Sequence, residues 1–537
     1  MAAGTITSRI LGFARAVLLA VTIGVTTNAA DAFGVANQLP NNVYAIIAGG
    51  VLNAVLVPQI VKARAHHDGG KGYIDRLVTL IIVVFATVTV ATTAAAPILV
   101  GLYTNGWSAD QLALATAFAY WCLPQLFFYG LYSLLGEVLN ARSAFGPFMW
   151  APVLNNVVAI AGLLAYIGIF GADPTGARAI SDWSQGNVAL IAGTATAGVA
   201  AQALILLLFW KRIGLKLNLN FNWRGVGLRP AAKAASWTLG MVLVTQVGGL
   251  VQTIIASTTI SARASEGLAI ASIAASSIAW LVFMLPHSIA TVSIATATFT
   301  KISGHAHDGD LVAFKAGVGK SLRAILAVSA FATALLMVLA YPAARVFSGE
   351  YPATIALGNV IIAFMVGLVP FSFVFMLQRA FYALEDTRTP FVFTVIQTLV
   401  FMVGALVIWL NVEPRWLVAA LALASSLSIL VQALVAYVLL RNKIGRFEGI
   451  GLSGATIRML VAAALSAGAG VGILLATNSF AQGSLALATV AGAILVSLGV
   501  GVVMLAVYFV ALALLGIEES WTAWQGVAKA VKGITRR

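Results

Sequence analysis

Two arginines stand in an apolar stretch near the start of the chain, Ser8-Arg9-Ile-Leu-Gly12-Phe-Ala-Arg15. A charged side chain in a membrane-crossing helix is expensive and ordinarily faces a water-filled cavity or a partner. Guanidinium forks match phosphate oxygens, so a cavity lined by them points to an anionic, phosphorylated ligand. Arg9 is read equally well as an anchor that snorkels to the membrane surface. Arg15 lies a turn and a half deeper, where snorkelling is harder. The two point about 120° apart on an ideal helix, so one ligand meets both only if Gly12 loosens the helix or the cavity is wide. Ser8 and Arg15, seven residues apart, share a face. Asp31 is either an ordinary helix N-cap or a functional acid ahead of Asn37-Gln38-Leu39-Pro40-Asn41-Asn42. Pro40 frees backbone carbonyls near mid-membrane depth, and the amides around it, Asn41 among them, suit a polar lining.

Other chemistry is scarce. The histidines are His66, His67, His287, His305 and His307. Four of them fall in expected cytoplasmic loops, with no metal-site spacing to a cysteine, and are expected to be solvated. The single cysteine, Cys122, is expected as a small buried hydrophobe. There are no paired carboxylates, no phosphate-cradling Gly-Lys-Ser/Thr loop and no Ser/His/Asp set. The expectation is a protein that is not an enzyme and uses no metal and no cofactor.

The elements that must position these residues are membrane helices. Hydrophobic residues make up 61% of the 537-residue chain and charged residues 9%, far below the roughly 25% charged of a soluble domain. Apolar runs of spanning length recur, without the short alternating segments of a barrel. About 14 helices are expected, the first at 8–28, the second at 34–62 and the eighth at 267–299. The first is expected to be retained, because no convincing cleavage site follows it. Counting from a cytoplasmic N-terminus, 25 of the 31 Lys and Arg fall in inward loops and the C-terminal tail. Four fall outside, namely Arg178, Arg263, Arg345 and Arg415, and Arg9 and Arg15 lie within helix 1. A missed or invented helix would scramble that bias, so it supports both count and orientation. It also accounts for the net charge of +14 without nucleic acid as a partner.

Two stretches look alike. Gly136-Glu-Val-Leu-Asn-Ala-Arg-Ser-Ala-Phe-Gly-Pro147-Phe148 is matched by Arg379-Ala-Phe-Tyr-Ala-Leu-Glu-Asp386-Thr-Arg388-Thr-Pro390-Phe391. Leu39-Pro40 recurs as Leu285-Pro286, and His67-Asp68-Gly69 as His307-Asp308-Gly309, all at nearly equal offsets. The expected architecture is all-α, with two parallel six-helix bundles (helices 1–6 and 7–12) plus two C-terminal helices. The corresponding lobes are 1–215 and 216–447, followed by helices 13–14 over 448–520 and a basic cytoplasmic tail at 521–537. Facing bundles of this kind suit alternating access.

The chain resembles the MurJ/MviN lipid II flippases of the multidrug/oligosaccharidyl-lipid/polysaccharide exporter superfamily. The residues that carry the resemblance are Ser8-Arg9-x-Leu11-Gly12-Phe13-x-Arg15 and Ala30-Asp31-Ala-Phe33 leading to Leu39-Pro40-Asn41. Leu139-Asn140-Ala141-Arg142 with Ala151-Pro152-Val-Leu-Asn155-Asn156 adds to it, and Arg379-Ala-Phe381-Tyr382-Ala383-Leu-x-Asp386-Thr387-Arg388-Thr389-Pro390 is the most specific match. The resemblance implies translocation of lipid-linked peptidoglycan precursor across a bacterial inner membrane. It implies a diphosphate held by cavity arginines and a lipid tail in a groove of helices 13 and 14. Arg9, Arg15 and Asp31 fall on positions of functional importance in the family, and lipid II and membrane lipids are the implied partners, with cell-wall synthesis proteins as further ones. The chain departs from the family where an arginine is expected soon after Leu39-Pro40-Asn41 and at Leu281, and Ala16 stands where an acid often follows Arg15. An exporter of another polyprenyl-linked glycan, a drug antiporter of the superfamily and a non-transporting cell-wall scaffold remain alternatives.

Overall fold

The computed structural model describes residues 2–48, 71–142, 144–212, 218–222, 228–266, 269–446 and 452–517. The His66 and His67 repeat loop, the basic positions Lys62, Arg64, Lys216 and Arg224, and the tail at 521–537 lie outside the described residues. All regular structure among the described residues is helical. Among the described residues, twelve helical stretches are long and apolar enough to cross a membrane, and a bent pair makes a thirteenth. The second expected helix is present as α2, but its described part carries Asn37, Gln38, Asn41 and Asn42 and is not among those thirteen. The chain divides into two compact units, Met1–Ala274 and Ala275–Arg537. That boundary follows packing and falls later than the 215/216 boundary drawn from the sequence repeat.

The first unit holds α1 (Ala2–Ile23), α2 (Asn28–Ile47), α3 (Lys71–Ala94), α4 (Ala96–Tyr103), α5 (Ala109–Cys122) and α6 (Gln125–Ala141). It continues through α7 (Phe145–Phe170), α8 (Thr194–Arg212), α9 (Leu228–Ser257) and α10 (Thr259–Glu266). Its breaks have sequence causes. Pro124 separates α5 from α6, and Ser108 caps α5 through the Gln111 amide. α2 begins at Asn28, earlier than the expected residue 34, because Thr27 is its N-cap and accepts from the Ala30 amide at 3.1 Å. The helix runs through Pro40 without ending. A core of Leu77, Phe85, Leu134, Leu139 and Trp210 joins α3, α6 and α8.

The second unit begins within α11 (Ile273–Pro286) and continues as α12 (Val292–His307), α13 (Leu311–Val338), α14 (Ala340–Arg345), α15 (Tyr351–Met365) and α16 (Leu368–Ala383). It ends with α17 (Arg388–Asn411), α18 (Pro414–Ile444), α19 (Leu452–Ala476) and α20 (Val490–Leu514). Pro286, expected inside the eighth helix at 267–299, instead ends regular α-helix, and a wider π turn over His287–Thr291 follows it. α15 and α16 form the bent pair, at 41°. Gly367 at that bend lies so close to α18 that a Cβ there would sit 2.8 Å from the Ser426 hydroxyl oxygen. Pro147 and Pro390, paired in the sequence repeat, are each the third residue of a helix, in α7 and α17. His305 and His307 close the last turn of α12 rather than standing in a loop. His287 is buried against Phe371 and Phe375.

Candidate substrate-binding site

α1 is 22 residues long, about 33 Å at 1.5 Å per residue, which places Arg9 about 10 Å and Arg15 about 20 Å from its start. Arg15 is therefore near the middle of a bilayer-crossing segment. Its side chain is half-buried. It lies within electrostatic range of Tyr129 of α6, and no carboxylate pairs with it among the described residues. Arg9 is half-buried and engaged within the protein.

Around Gln125 and Tyr129 the structure gathers uncharged hydrogen-bonding groups from three helices. The Tyr129 hydroxyl donates to Gln125 Oε1 at 2.8 Å. Gln125, buried at the start of α6, donates its amide protons to Asn37 of α2 at 3.3 Å and Thr196 of α8 at 3.1 Å. Asn41 lies near the Tyr129 hydroxyl and is exposed. Asn42, one residue on, donates to the Tyr103 hydroxyl at 3.0 Å. The amides predicted near Pro40 thus lie on the polar side of α2. Of the expected site residues, Arg15 and Asn41 come together here.

Ser8 and Gly12 are placed elsewhere. Asn156 of α7 donates to the Ser8 carbonyl at 2.9 Å and reaches its hydroxyl at 3.4 Å. The same amide lies over Gly12, where a Cβ would meet it at an ordinary 3.7 Å. The neighbouring Asn155 donates to Gln202 of α8 at 2.9 Å. This motif holds α1, α7 and α8 together, and Ser8 serves that contact.

Asp31 is neither the N-cap of α2 nor a neighbour of the polar network. It stands in the first turn, wholly buried, and is ion-paired to Arg263 of α10 at 2.9 Å. Its second oxygen accepts from the Ala274 amide at 2.9 Å. Arg263 also donates to the Asn28 side chain at 3.3 Å and to the Ile270 carbonyl at 2.8 Å. The pair therefore clamps the start of α2 to α10 and to the segment leading into α11. Arg263 was visible in sequence only as one of four outward cations. Its one signal was that the other half of a pair, Asp31, is expected at the same end of the bundle.

The motif from Arg379 to Pro390 is a braced turn. Glu385 takes the left-handed conformation at φ 57° and reverses the chain. Asp386 accepts from the Thr389 amide at 2.9 Å, the Thr389 hydroxyl at 2.8 Å and Lys443 Nζ at 2.5 Å. Partial burial alone would raise the Asp386 carboxyl. Lys443 and the two Thr389 donors outweigh it and hold the group below the usual carboxylate range. Arg388 at the start of α17 is exposed and Pro390 is buried. Arg379 stacks its guanidinium on Phe375 at 3.9 Å. The expected arginine position at Leu281 lies beside an aromatic group in which Trp280 stacks on Phe283 at 4.9 Å and Phe371 packs edge-on. Among the described residues no group of acidic, histidine or cysteine side chains could hold a metal ion.

A family model described as Lipid II flippase MurJ matches residues 19–521. The chain belongs to this family. A probable lipid II flippase MurJ from Rhizobium meliloti is 27% identical over 480 residues, covering 87% of this chain and 84% of that protein. One from Haemophilus influenzae is 26% identical over 416 residues, covering 72% and 75%. Among solved structures, "Lipid II flippase MurJ, inward closed conformation" superposes with a TM-score of 0.69 at 18% identity, over 95% of this chain and 99% of that one. An inward-facing multidrug resistance transporter of the MATE family gives 0.58 at 16% identity, over 82% and 99%. The fold is thus that of a multi-span membrane transporter, and the resemblance read from the motifs holds over the length of the chain.

Proposed function

We propose that this chain moves lipid II, the undecaprenyl diphosphate-linked disaccharide peptide, from the cytoplasmic to the outer leaflet of a bacterial inner membrane. The observation that carries the reading within the protein is Arg15: a mid-membrane guanidinium with no carboxylate pairing it among the described residues, within electrostatic range of a tyrosine that belongs to a neutral hydrogen-bond network. A guanidinium kept charged at that depth is suited to bind a diphosphate, and amides and hydroxyls suit the sugar and peptide beyond it. Arg9 and Asn41 belong to the same proposed site. Ser8 and Asp31 support it through the helices they hold.

The reading includes no covalent step, so the protein acts as a carrier rather than an enzyme. It places both termini in the cytoplasm, as the charge bias of the loops requires. It includes two parallel lobes, 1–215 and 216–447, alternating in access. It further admits cell-wall synthesis proteins as partners.

The test is depletion of the protein in its host, followed by an assay of the leaflet in which lipid II resides. Lipid II is expected to accumulate on the cytoplasmic side. Wild-type protein should reverse this, and an Arg15→Ala variant present at equal level should not. Lipid II reaching the outer leaflet normally in depleted cells refutes the substrate assignment.

A further inference from the structure

We infer that His287 is a proton-binding site of the transport cycle, its imidazole changing charge between two buried hydroxyls and two phenylalanine rings of the second unit. The inference goes beyond the lipid II reading and rests on it only in taking the chain to be a carrier.

The argument starts from depth. His287 lies within the Ile273–His307 span, about 21 Å from Ile273 at 1.5 Å per residue. Its side chain is buried. An ionisable group so placed is costly and ordinarily functional, and imidazole is the side chain whose charge ordinarily changes between about pH 5 and 8. His287 also opens the π turn, where its carbonyl accepts from the Val292 amide. Such wide turns recur at functional sites. Imidazole Nδ1 is 3.2 Å from the Ser372 hydroxyl of α16, which accepts from the Thr291 hydroxyl at 3.0 Å. Both hydroxyls are buried. A hydroxyl donates and accepts, so Ser372 serves either state of the ring. With the ring neutral and its hydrogen on Nε2, Ser372 donates to Nδ1. When a proton adds to Nδ1, the ring donates to Ser372 Oγ, and the serine turns its own hydrogen away. One proton is gained, and no bond between heavy atoms forms or breaks.

A charged imidazole needs an answering group. The π turn, α11 and α12 on either side of it, and α13 and α16 packed against it carry no Asp or Glu. The Phe371 and Phe375 rings answer instead, with centroids 4.5 Å and 5.1 Å from that of the imidazole, inside the reach of about 6 Å over which an aromatic ring attracts a cation. The other ionisable side chains of these elements lie further along. Lys301, His305 and His307 stand in the last two turns of α12. Lys315, Lys320 and Arg323 of α13 lie toward the level where Ser321 meets Thr298 of α12 at 3.0 Å. On α16, Tyr382 bonds Gln378, and Arg379 stacks on Phe375 at 3.9 Å, so Arg379 is the cation across that ring. With no fixed counter-charge on these elements, a bound proton changes the net charge of the packed region. It also reverses the hydrogen bond that ties the π turn to α16. Proton binding is thereby coupled to how those two elements pack, which is the coupling a proton-driven carrier requires.

The experiment counts protons bound by the purified full chain in detergent over the histidine range, for wild type, His287→Gln and Ser372→Ala, each checked for a monodisperse elution profile. Wild type is expected to bind one proton per chain more than His287→Gln, with a midpoint between about pH 5 and 8. Ser372→Ala should keep that proton and move its midpoint by about half a pH unit, the size expected for one lost hydrogen bond. In a second measurement, proteoliposomes loaded with lipid II are given a gradient of about one pH unit in either direction, worth about tenfold in proton occupancy. The wild-type rate should differ severalfold between the two directions, and the His287→Gln rate should not. Equal proton counts for wild type and His287→Gln overturn the inference, by giving the histidine a structural role alone. A gradient response in His287→Gln equal to that of wild type also overturns it. If His287→Gln does not elute as a single species, Ser372→Ala decides, and an unmoved midpoint overturns the inference. Wild type that shows the extra proton but moves no lipid II in either gradient refutes the substrate reading and leaves His287 as a proton site.

Discussion

Replacing Asp31 with leucine removes one half of a pair whose members are 0% and 10% exposed in their side chains. The substitution strands Arg263, which retains only the Asn28 side chain and the Ile270 carbonyl. It also leaves the Ala274 amide without its acceptor. Breaking a buried ion pair from one side costs about 3–5 kcal/mol, and an unsatisfied buried amide adds about 1–3 kcal/mol. The two overlap, because the same carboxylate serves both, so a loss of about 4 kcal/mol is the working figure. At roughly 2 °C per kcal/mol for a unit of this size, the midpoint of thermal unfolding should fall by about 8 °C. Arg263→Leu should lose a similar amount, since it leaves a buried carboxylate with the Ala274 amide as its main support.

The informative variant is the double replacement Asp31→Asn/Arg263→Gln, which keeps donors and acceptors at both positions and removes both charges. Well-packed neutral replacements of buried pairs are often no less stable than the pair itself. The double variant is therefore expected to recover at least half of the loss seen in either leucine variant. The assay is thermal unfolding of detergent-purified protein, followed by loss of monodispersity, with transport measured in parallel. If the double variant is as unstable as the single ones, the charge-stranding argument is wrong and the loss comes from packing. If all three variants unfold like wild type, the pair does not clamp α2 at all.

Two further expectations follow from packing and titration. Gly367→Ala would bring a methyl to 2.8 Å from the Ser426 hydroxyl oxygen and 3.0 Å from its Cα, so the α15–α16 bend must shift, at a cost of about 1–3 kcal/mol; a thermal midpoint equal to wild type would show the bend to be pliable. Asp386 has a folded-state pKa below the ordinary carboxylate value, so its stabilisation is complete above about pH 4 and is lost as pH falls through the lower folded value. Because Lys443 is 43% exposed, that contribution is only about 0.2–1 kcal/mol. Asp386→Asn should flatten this part of the acid stability profile, and an unchanged profile would remove Asp386 from the turn's energetics.

What sequence could and could not show divides along a physical line. Hydropathy and the bias of Lys and Arg act over whole helices, so the all-helical membrane class and the succession of spans are legible in the sequence itself. Prolines act locally on the backbone, so the helix starts near Pro147 and Pro390 follow from covalent geometry, whereas the breaks at Pro124 and Pro286 fall inside stretches that hydropathy reads as continuous helices. Side-chain partners across the fold obey neither rule. Asp31 and Arg263 are 232 positions apart, and nothing in the spacing of either residue specifies the other. Tyr129 and Gln125 carry no sequence signal for a related reason. In a single apolar helix a tyrosine and a glutamine read as isolated polar residues, and their meaning comes from the helices that bring Asn37 and Thr196 to them.

The same reasoning separates family motif from binding chemistry. Asp386 and Pro390 form the most specific sequence match, yet they spend their polar and conformational character on a turn braced by Lys443. Asn155 and Asn156 spend theirs on helix contacts. A turn or a helix crossing has one workable geometry and tolerates few residues, so it leaves a recognisable string. A binding surface for a large, flexible lipid-linked headgroup is spread over several helices and needs only donors and acceptors at suitable depth. It leaves scattered single residues in each. Arg15 is recognisable because a bare charge at mid-membrane depth is conspicuous in any sequence, whereas the neutral network of Asn37, Gln125, Tyr129 and Thr196 forms only when three helices are placed side by side.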